Sequence, residues 1–300
     1  MNIAITGGTG FIGRRLVRRL IAAGHSIHLL VREARTGFGP QVQISVWDAL
    51  DIEPAPESLA EADAVIHLAG EPISQRWTPA AKRRILDSRV EGTRRLVEAL
   101  AHLKRRPSTL VCASAVGIYG SRGDEILTDA AAPGQGFLAE VCQAWEKTAG
   151  VAADLGLRVV RLRAGMVLGK EGGALAQMLP PFRWGLGGKL AQGNQWVSWI
   201  HVDDLADLLR FALENPKLSG PVNGTSPNPV TNTEFTKALA DVLRRPAVLT
   251  IPASALGVLY GEMAEVVLAS QRATPAAALA AGFEFRYPEV RAALQNLLGT

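Results

Sequence analysis

Along its first two-thirds the chain alternates short apolar runs with longer stretches whose apolar residues recur at helical spacing. The apolar runs begin at Ile3 and continue over residues 27–31, 42–46, 64–68, 109–114 and 157–162. Each has the length of a buried strand. Between them the spacing predicts helices over 11–23, 78–103 and 137–155. Strand and helix in alternation predict an α/β fold, a doubly wound parallel sheet covered on both faces. After Arg163 the pattern breaks up at Gly172-Gly173, Pro180-Pro181 and Gly185-Leu186-Gly187-Gly188. Residues 199–205 then open a helix with Asp203 or Asp204 near its start, where acidic groups are favoured. A last helix is predicted over 288–298, so the remainder reads as a small mixed C-terminal lobe.

The order Ala4-Ile5-Thr6-Gly7-Gly8-Thr9-Gly10-Phe11-Ile12-Gly13 ends the first run and opens the first helix. It carries two overlapping spacings, Gly8-x-Gly10-x-x-Gly13 and Gly7-x-x-Gly10-x-x-Gly13. A glycine-rich turn could stand here without a ligand, but one placed between a strand and a helix is a dinucleotide fingerprint. A residue lacking Cβ permits a tight turn, close approach of backbone to a diphosphate, and close helix–strand packing. The helix start adds unpaired N–H groups and partial positive charge. The sheet is therefore expected to be of Rossmann type, with Gly7, Thr9, Gly10, Phe11, Ile12 and Gly13 at the cofactor. Residues 1–165 are expected to form the nucleotide-binding domain, with further sheet elements from 195–225. Residues 166–300 are expected to form a substrate lobe and a helical module.

The second run ends in Val31, followed by Arg32, with Arg35 close behind. In this fold that strand end faces the adenosine ribose, where a carboxylate would select NAD. A guanidinium suits a 2′-phosphate instead. Such a charge-assisted bond is worth about 1.5–3 kcal/mol, enough to favour NADP over NAD. Glu33, about 20 residues past the glycines, argues the other way. Asp48 is expected at the adenine edge. Leu68, Ala69 and Gly70, then Ala113 and Ser114, then Gly165 and Met166, are expected to border the remainder of the cofactor. His67 reads as a structural histidine rather than a ligand.

Length and composition narrow the class. A chain of 300 residues can bury roughly 75% of its unfolded surface and needs no staples. Two cysteines, Cys112 and Cys142, make no disulfide framework, and a reducing cytoplasm is expected. The first strand starts at residue 2 or 3, which leaves no room for a signal peptide. No apolar run approaches the roughly 20 residues of a membrane span. The net charge of +4 is mild, and Arg14, Arg15, Arg18 and Arg19 read as a solvated helix face. Neither nucleic acid nor membrane is expected as a partner, and no metal site is expected.

Thr6-Gly7-Gly8-Thr9-Gly10-Phe11-Ile12-Gly13, His67-Leu68-Ala69-Gly70, Gly117-Ile118-Tyr119-Gly120 and Trp199-Ile200-His201-Val202-Asp203-Asp204-Leu205 together resemble the extended short-chain dehydrogenases/reductases, which include nucleotide-sugar epimerases and dehydratases. The stretches Ile251-Pro252, Gly261-Glu262-Met263, Ser270-Gln271-Arg272 and Ala281-Gly282-Phe283-Glu284-Phe285-Arg286-Tyr287-Pro288 resemble the C-terminal module of an atypical subgroup, the YfcH-like "epimerase family". The resemblance implies NADP, hydride chemistry and a small-molecule substrate such as a nucleotide-sugar or another carbonyl compound. A homodimer is left open.

The parent family works with a Ser or Thr, a Tyr-x-x-x-Lys pair and often an Asn. A tyrosine titrates near 10 unaided and needs the lysine to act near neutrality. This chain has three tyrosines, Tyr119, Tyr260 and Tyr287, and four residues on stand Gly123, Ala264 and Arg291. No Tyr-x-x-x-Lys exists. Matched onto the family, Leu138 takes the Tyr position, Cys142 the Lys position, Ala115 the Ser position and Arg89 the Asn position. Ser114 and Tyr119 are the catalytic candidates that remain, as groups lining the substrate pocket. Cys142 and Glu140 are weaker ones, read more simply as a buried small residue and a surface charge. The expected function is an NADP-binding oxidoreductase or epimerase-like enzyme with an altered acid/base set. The alternative is a catalytically silent NADP(H) sensor.

Overall fold

The computed structural model describes residues 1–33, 38–48, 50 and 56–299. Its first half runs β1 (Asn2–Thr6), α1 (Phe11–Ala22), β2 (Ser26–Val31), β3 (Val42–Val46), β4 (Ala64–His67), α2 (Pro79–Ala101), β5 (Thr109–Ala115), β6 (Ile126–Leu127), α3 (Phe137–Gly150), β7 (Arg158–Ala164) and β8 (Met166–Gly169). There follow α4 (Gly173–Arg183), β9 (Gly188–Leu190), β10 (Trp196–Val197), β11 (Trp199–His201), α5 (Val202–Glu214), β12 (Gly220–Gly224), β13 (Val230–Thr231) and α6 (Asn232–Leu243). The chain closes with β14 (Leu249–Ile251), α7 (Ala253–Tyr260), α8 (Ala264–Leu268), β15 (Arg272–Ala273), α9 (Ala276–Ala280) and α10 (Val290–Leu298).

Seven strands form one parallel sheet in the order β12-β7-β5-β4-β1-β2-β3. The order reverses at β1, so a crevice opens at the carboxyl ends of β1 and β4. α1 turns Gly13, Leu16, Val17 and Leu20 inward and packs beside α5 on one face, in a core shared with Ile3, Ile5, Leu205 and Leu209. α2 and α3 cover the other face through Leu96, Val97, Leu100, Trp145 and Ala149. α4, α6 and α10 bury Leu179, Phe235, Leu239 and Leu294 against one another in a separate core. Among the described residues no helix is long and apolar enough to cross a membrane.

Two differences from the periodicity have simple causes. The run predicted as helix to residue 155 is α-helical only to Gly150, and Val151–Leu155 tightens into a 3-10 turn, as helix ends commonly do. β12 carries no strand signal because its sequence is Gly-Pro-Val-Asn-Gly. Proline and glycine are tolerated there because the strand lies at the sheet edge.

Candidate functional site

The glycine turn is built by contact. Gly7 has φ 69°, and a Cβ on it would lie 2.7 Å from the Leu68 carbonyl carbon, so β1's exit is pressed against β4's exit. A Cβ on Gly13 would lie 2.2 Å from the Gly7 carbonyl oxygen, which fixes α1 hard against the turn. Gly10 caps α1 without a side-chain hydrogen bond, and the first turn holds no acidic residue. The N–H groups at this helix start are left without intrahelical acceptors. The Phe11 ring points away, into the loop before α4, where a Cβ on Gly169 would fall 2.2 Å from it. Only the backbone of Phe11 is therefore offered to the crevice. These features fit a diphosphate: its oxygens would take the orphan N–H groups, and nothing acidic opposes them.

Arg32 follows β2 directly and is exposed. Glu33 is exposed beside it. Arg35 lies outside the described residues. Asp48 is half-buried, and its Oδ1 accepts a hydrogen bond from the Leu50 N–H at 3.0 Å. Leu68 and Ala69 donate their N–H groups to Thr6 Oγ1, each at 3.2 Å. His67 is fully buried, with Nδ1 2.7 Å from Thr6 Oγ1 and Nε2 3.1 Å from Thr93 Oγ1. Burial, then the nearby Arg89 charge, brings its pKa down to about 4. His67 is thus a neutral strut between β1, β4 and α2.

Ser114 stands at the end of β5, 4% exposed, and donates its hydroxyl proton to Glu146 Oε1 at 2.7 Å. Glu146 is also gripped by Arg163 through two hydrogen bonds, of 2.7 and 2.9 Å. Arg163 Nη1 reaches the Tyr119 hydroxyl at 2.9 Å and the Asp129 carbonyl at 3.0 Å. The Tyr119 hydroxyl donates to Asn223 Oδ1 at 2.7 Å. Tyr119 has no exposed surface, and burial pushes its pKa upward. This corrects the expectation that Tyr119 lines the substrate pocket. The turn after β5 folds its ring inward, so the hydroxyl ties β12 to Arg163 and presents nothing to a ligand.

The weaker candidates sort the same way. Cys142 is buried, and desolvation pushes its thiol up to about 11. It stays protonated near neutrality. Glu140 lies exposed in the first turn of α3. Leu138 packs toward Gly117, where a Cβ would lie 3.3 Å from its own. A Cβ on Gly165 would lie 2.4 Å from the Ser198 carbonyl oxygen, and Met166 donates its N–H to the same carbonyl at 2.7 Å. That pair marks where the chain leaves the large sheet for the β8–β11 pair. Among the described residues no three His, Cys, Asp or Glu side chains converge as a metal site would require.

The sequence reading gave Arg89, Glu146 and Arg163 no role at the site. Charged residues almost never lie deep in a core unless paired, but that Glu146 and Arg163 are buried is visible only in the fold. Glu146 and Arg163 lie 17 residues apart, Ser114 lies 32 from Glu146 and Tyr119 lies 44 from Arg163, and spacing does not show such pairs.

The sheet order, the glycine turn and the open start of α1 define a Rossmann-type α/β protein with the extended short-chain dehydrogenase/reductase fold. Residues 3–224 match the NAD dependent epimerase/dehydratase family, and the chain belongs to that family. Residues 251–297 match a domain of unknown function, DUF1731. The chain is 44% identical over 305 residues to the epimerase family protein SDR39U1 homolog, chloroplastic, of Arabidopsis thaliana, covering 99% of this chain and 87% of that one. It is 40% identical over 299 residues to the epimerase family protein YfhF of Bacillus subtilis, covering 99% and 98%. The crystal structure of human epimerase family protein SDR39U1 with NADPH superposes with a TM-score of 0.88 at 33% identity, covering 100% of both chains.

Proposed function

We propose that this chain binds NADP(H) across the β1–β4 crevice and acts on a small carbonyl compound or nucleotide-sugar with an acid/base set unlike the parent family's. The observation that carries the reading is the uncapped, acid-free start of α1 behind the Gly7–Gly13 turn. It shares the carboxyl edge of the sheet with the exposed Arg32. The NADPH in the human relative supports the choice of cofactor. The backbone of Gly7, Thr9, Gly10, Phe11, Ile12 and Gly13 would hold the diphosphate. Arg32 and Arg35 would hold the 2′-phosphate, and Asp48 would border the adenine. Leu68 to Gly70, Ala113, Ser114, Gly165 and Met166 would border the other half. When bound, the cofactor supplies or accepts hydride. Ser114 donates its hydroxyl hydrogen bond to Glu146, so its Oγ lone pairs would serve as the acceptor toward the carboxamide or a substrate hydroxyl. A cytoplasmic location is part of the proposal.

The silent sensor is the second reading. It is favoured by the commitment of Ser114 to Glu146, the inward Tyr119 and the neutral Cys142. One experiment separates the two. Ligand-free protein would be titrated with NADPH and NADH by calorimetry, then mixed with NADPH and a panel of aldehydes, ketones and nucleotide-sugars while nicotinamide absorbance is followed. Tight NADPH binding with turnover supports the enzyme, and tight binding without turnover supports the sensor. No heat from either nucleotide removes both.

A further inference from the structure

Arg89 sits on α2 beneath the exit of β4. One of its nitrogens, Nη1, donates to the carbonyls of Glu71 at 3.0 Å and Ile85 at 3.1 Å. Its guanidinium lies 5.1 Å from the centre of the Trp145 ring. Among the described residues no carboxylate lies within ion-pair distance of it, and Nε and Nη2 have no hydrogen-bond acceptor. Glu71, the nearest acid to act on its charge, is turned toward Arg84 and Gln75 instead. The other group that acts on it, Cys142, is a neutral thiol. Partial burial lowers the basicity of Arg89, and Cys142 and Glu71 act the other way. Arg89 is only partly buried, so its remaining N–H groups are open to solvent at this edge and free to donate to a ligand that enters there.

The surroundings indicate what that ligand is. The point where a Cβ on Gly70 would stand is 3.3 Å from Cζ and 3.4 Å from Nη1 and Nη2. Position 70 therefore has no side chain between the guanidinium and the strand ends. Gly7 is pressed against Leu68 and Ala69, so position 70 lies just past the diphosphate cradle on the side away from β2. The strand order puts β4, β5 and β7 on the side of β1 left for the half of a dinucleotide that is not adenosine, with β4 nearest the cradle.

We propose that Arg89, through the gap at Gly70, donates hydrogen bonds to the hydroxyl oxygens of the nicotinamide-side ribose and is a cofactor-binding residue of this chain. This rests on the NADP(H) reading above. The test is calorimetry on the full chain with two probes, NADPH and 2′,5′-ADP, which has the adenosine half and its 2′-phosphate but no second ribose. Arg89→Met is expected to weaken NADPH about tenfold or more and to leave 2′,5′-ADP within twofold. Arg89→Lys keeps the charge and most of the stem, and guards against a misfolded Met variant. It is expected to lose NADPH affinity by a smaller factor, again without effect on 2′,5′-ADP. Unchanged NADPH affinity in both variants overturns the assignment, as does an equal loss for both probes, which would make Arg89 a packing residue. Failure of the unsubstituted protein to bind either probe is a different result, and sinks the NADP(H) reading itself.

Discussion

At the scale of single residues, exposed and buried charges play different parts. Arg32 is exposed, and its value lies in what a ligand brings to it. Arg32→Ala is expected to weaken NADPH by about ten- to a hundredfold and NADH much less, since only the former carries the 2′-phosphate. Paired calorimetric titrations check this, and equal losses reject the role. Tyr119 has a structural part. Tyr119→Phe leaves Asn223 Oδ1 and Arg163 Nη1 each short of a partner and is expected to cost about 1–3 kcal/mol of stability with no change in NADPH affinity. A fall in affinity at unchanged stability would return Tyr119 to the pocket. His67 sets a pH dependence. Its folded pKa is about 4 against an ordinary 6.5, so between those values the unfolded chain binds the extra proton and the folded chain does not. The His67 contribution is therefore whole above pH 6.5 and is lost as pH falls toward 4, by about 3 kcal/mol in all. Denaturant melts from pH 7 to 4 should show that slope, and His67→Gln should flatten it.

At the scale of elements, the site depends on how closely α1 and β1 approach. The 2.2 Å gap between a Cβ at position 13 and the Gly7 carbonyl oxygen leaves no room for a methyl group. Gly13→Ala must push α1 outward and splay the N–H groups that face the diphosphate. NADPH affinity is expected to fall at least tenfold even where the fold survives, as read by calorimetry beside a thermal melt. The salt bridge between α3 and β7 is the second element-scale device. Glu146 and Arg163 are both about nine-tenths or more buried and joined by two hydrogen bonds. Glu146→Gln removes one charge and strands the other, which is expected to cost about 3–5 kcal/mol. A loss under 1 kcal/mol in denaturant melts would mean that solvent reaches the pair.

At the scale of the whole molecule, one buried carboxylate links the large sheet to the C-terminal module. Asp129 accepts the N–H of Asn223 on β12 at 2.5 Å and that of Ala277 on α9 at 2.8 Å. Asn223 in turn donates Nδ2 to the carbonyls of Leu127 and Thr274. Histidine and aspartates of the 199–205 stretch do the same further on. His201 caps α5 and stacks on Tyr287 at 4.1 Å, and Asp204 accepts the N–H groups of Arg286 and Tyr287. Residues that read as a family signature are thus fasteners between distant segments.

The nucleotide-binding half was legible because its signals are local. Six sheet strands and the three main helices follow from apolar runs and helical spacing, and the cradle follows from glycines where a Cβ would collide. The edge strand β12 falls within the 195–225 range expected to add to the sheet, but its propensities oppose a strand and gave it no bounds. The fate of the candidate acid/base groups was hidden. Ser114 and Tyr119 stand near the end of β5 in sequence, but the first donates a hydrogen bond to a glutamate 32 residues away and the second turns its hydroxyl toward an asparagine 104 residues away.

By itself, then, the sequence determined the Rossmann-type sheet, the family, the glycine turn between β1 and α1 and the absence of a Tyr-x-x-x-Lys pair. Each depends on the order and spacing of neighbours along the chain. Only the tertiary structure decided which polar groups are spent on one another and which are left over. Hydrogen bonds and ion pairs act through space over about 3 Å, so the pairing of Glu146 with Arg163 and the unmatched guanidinium of Arg89 exist only once the elements have packed.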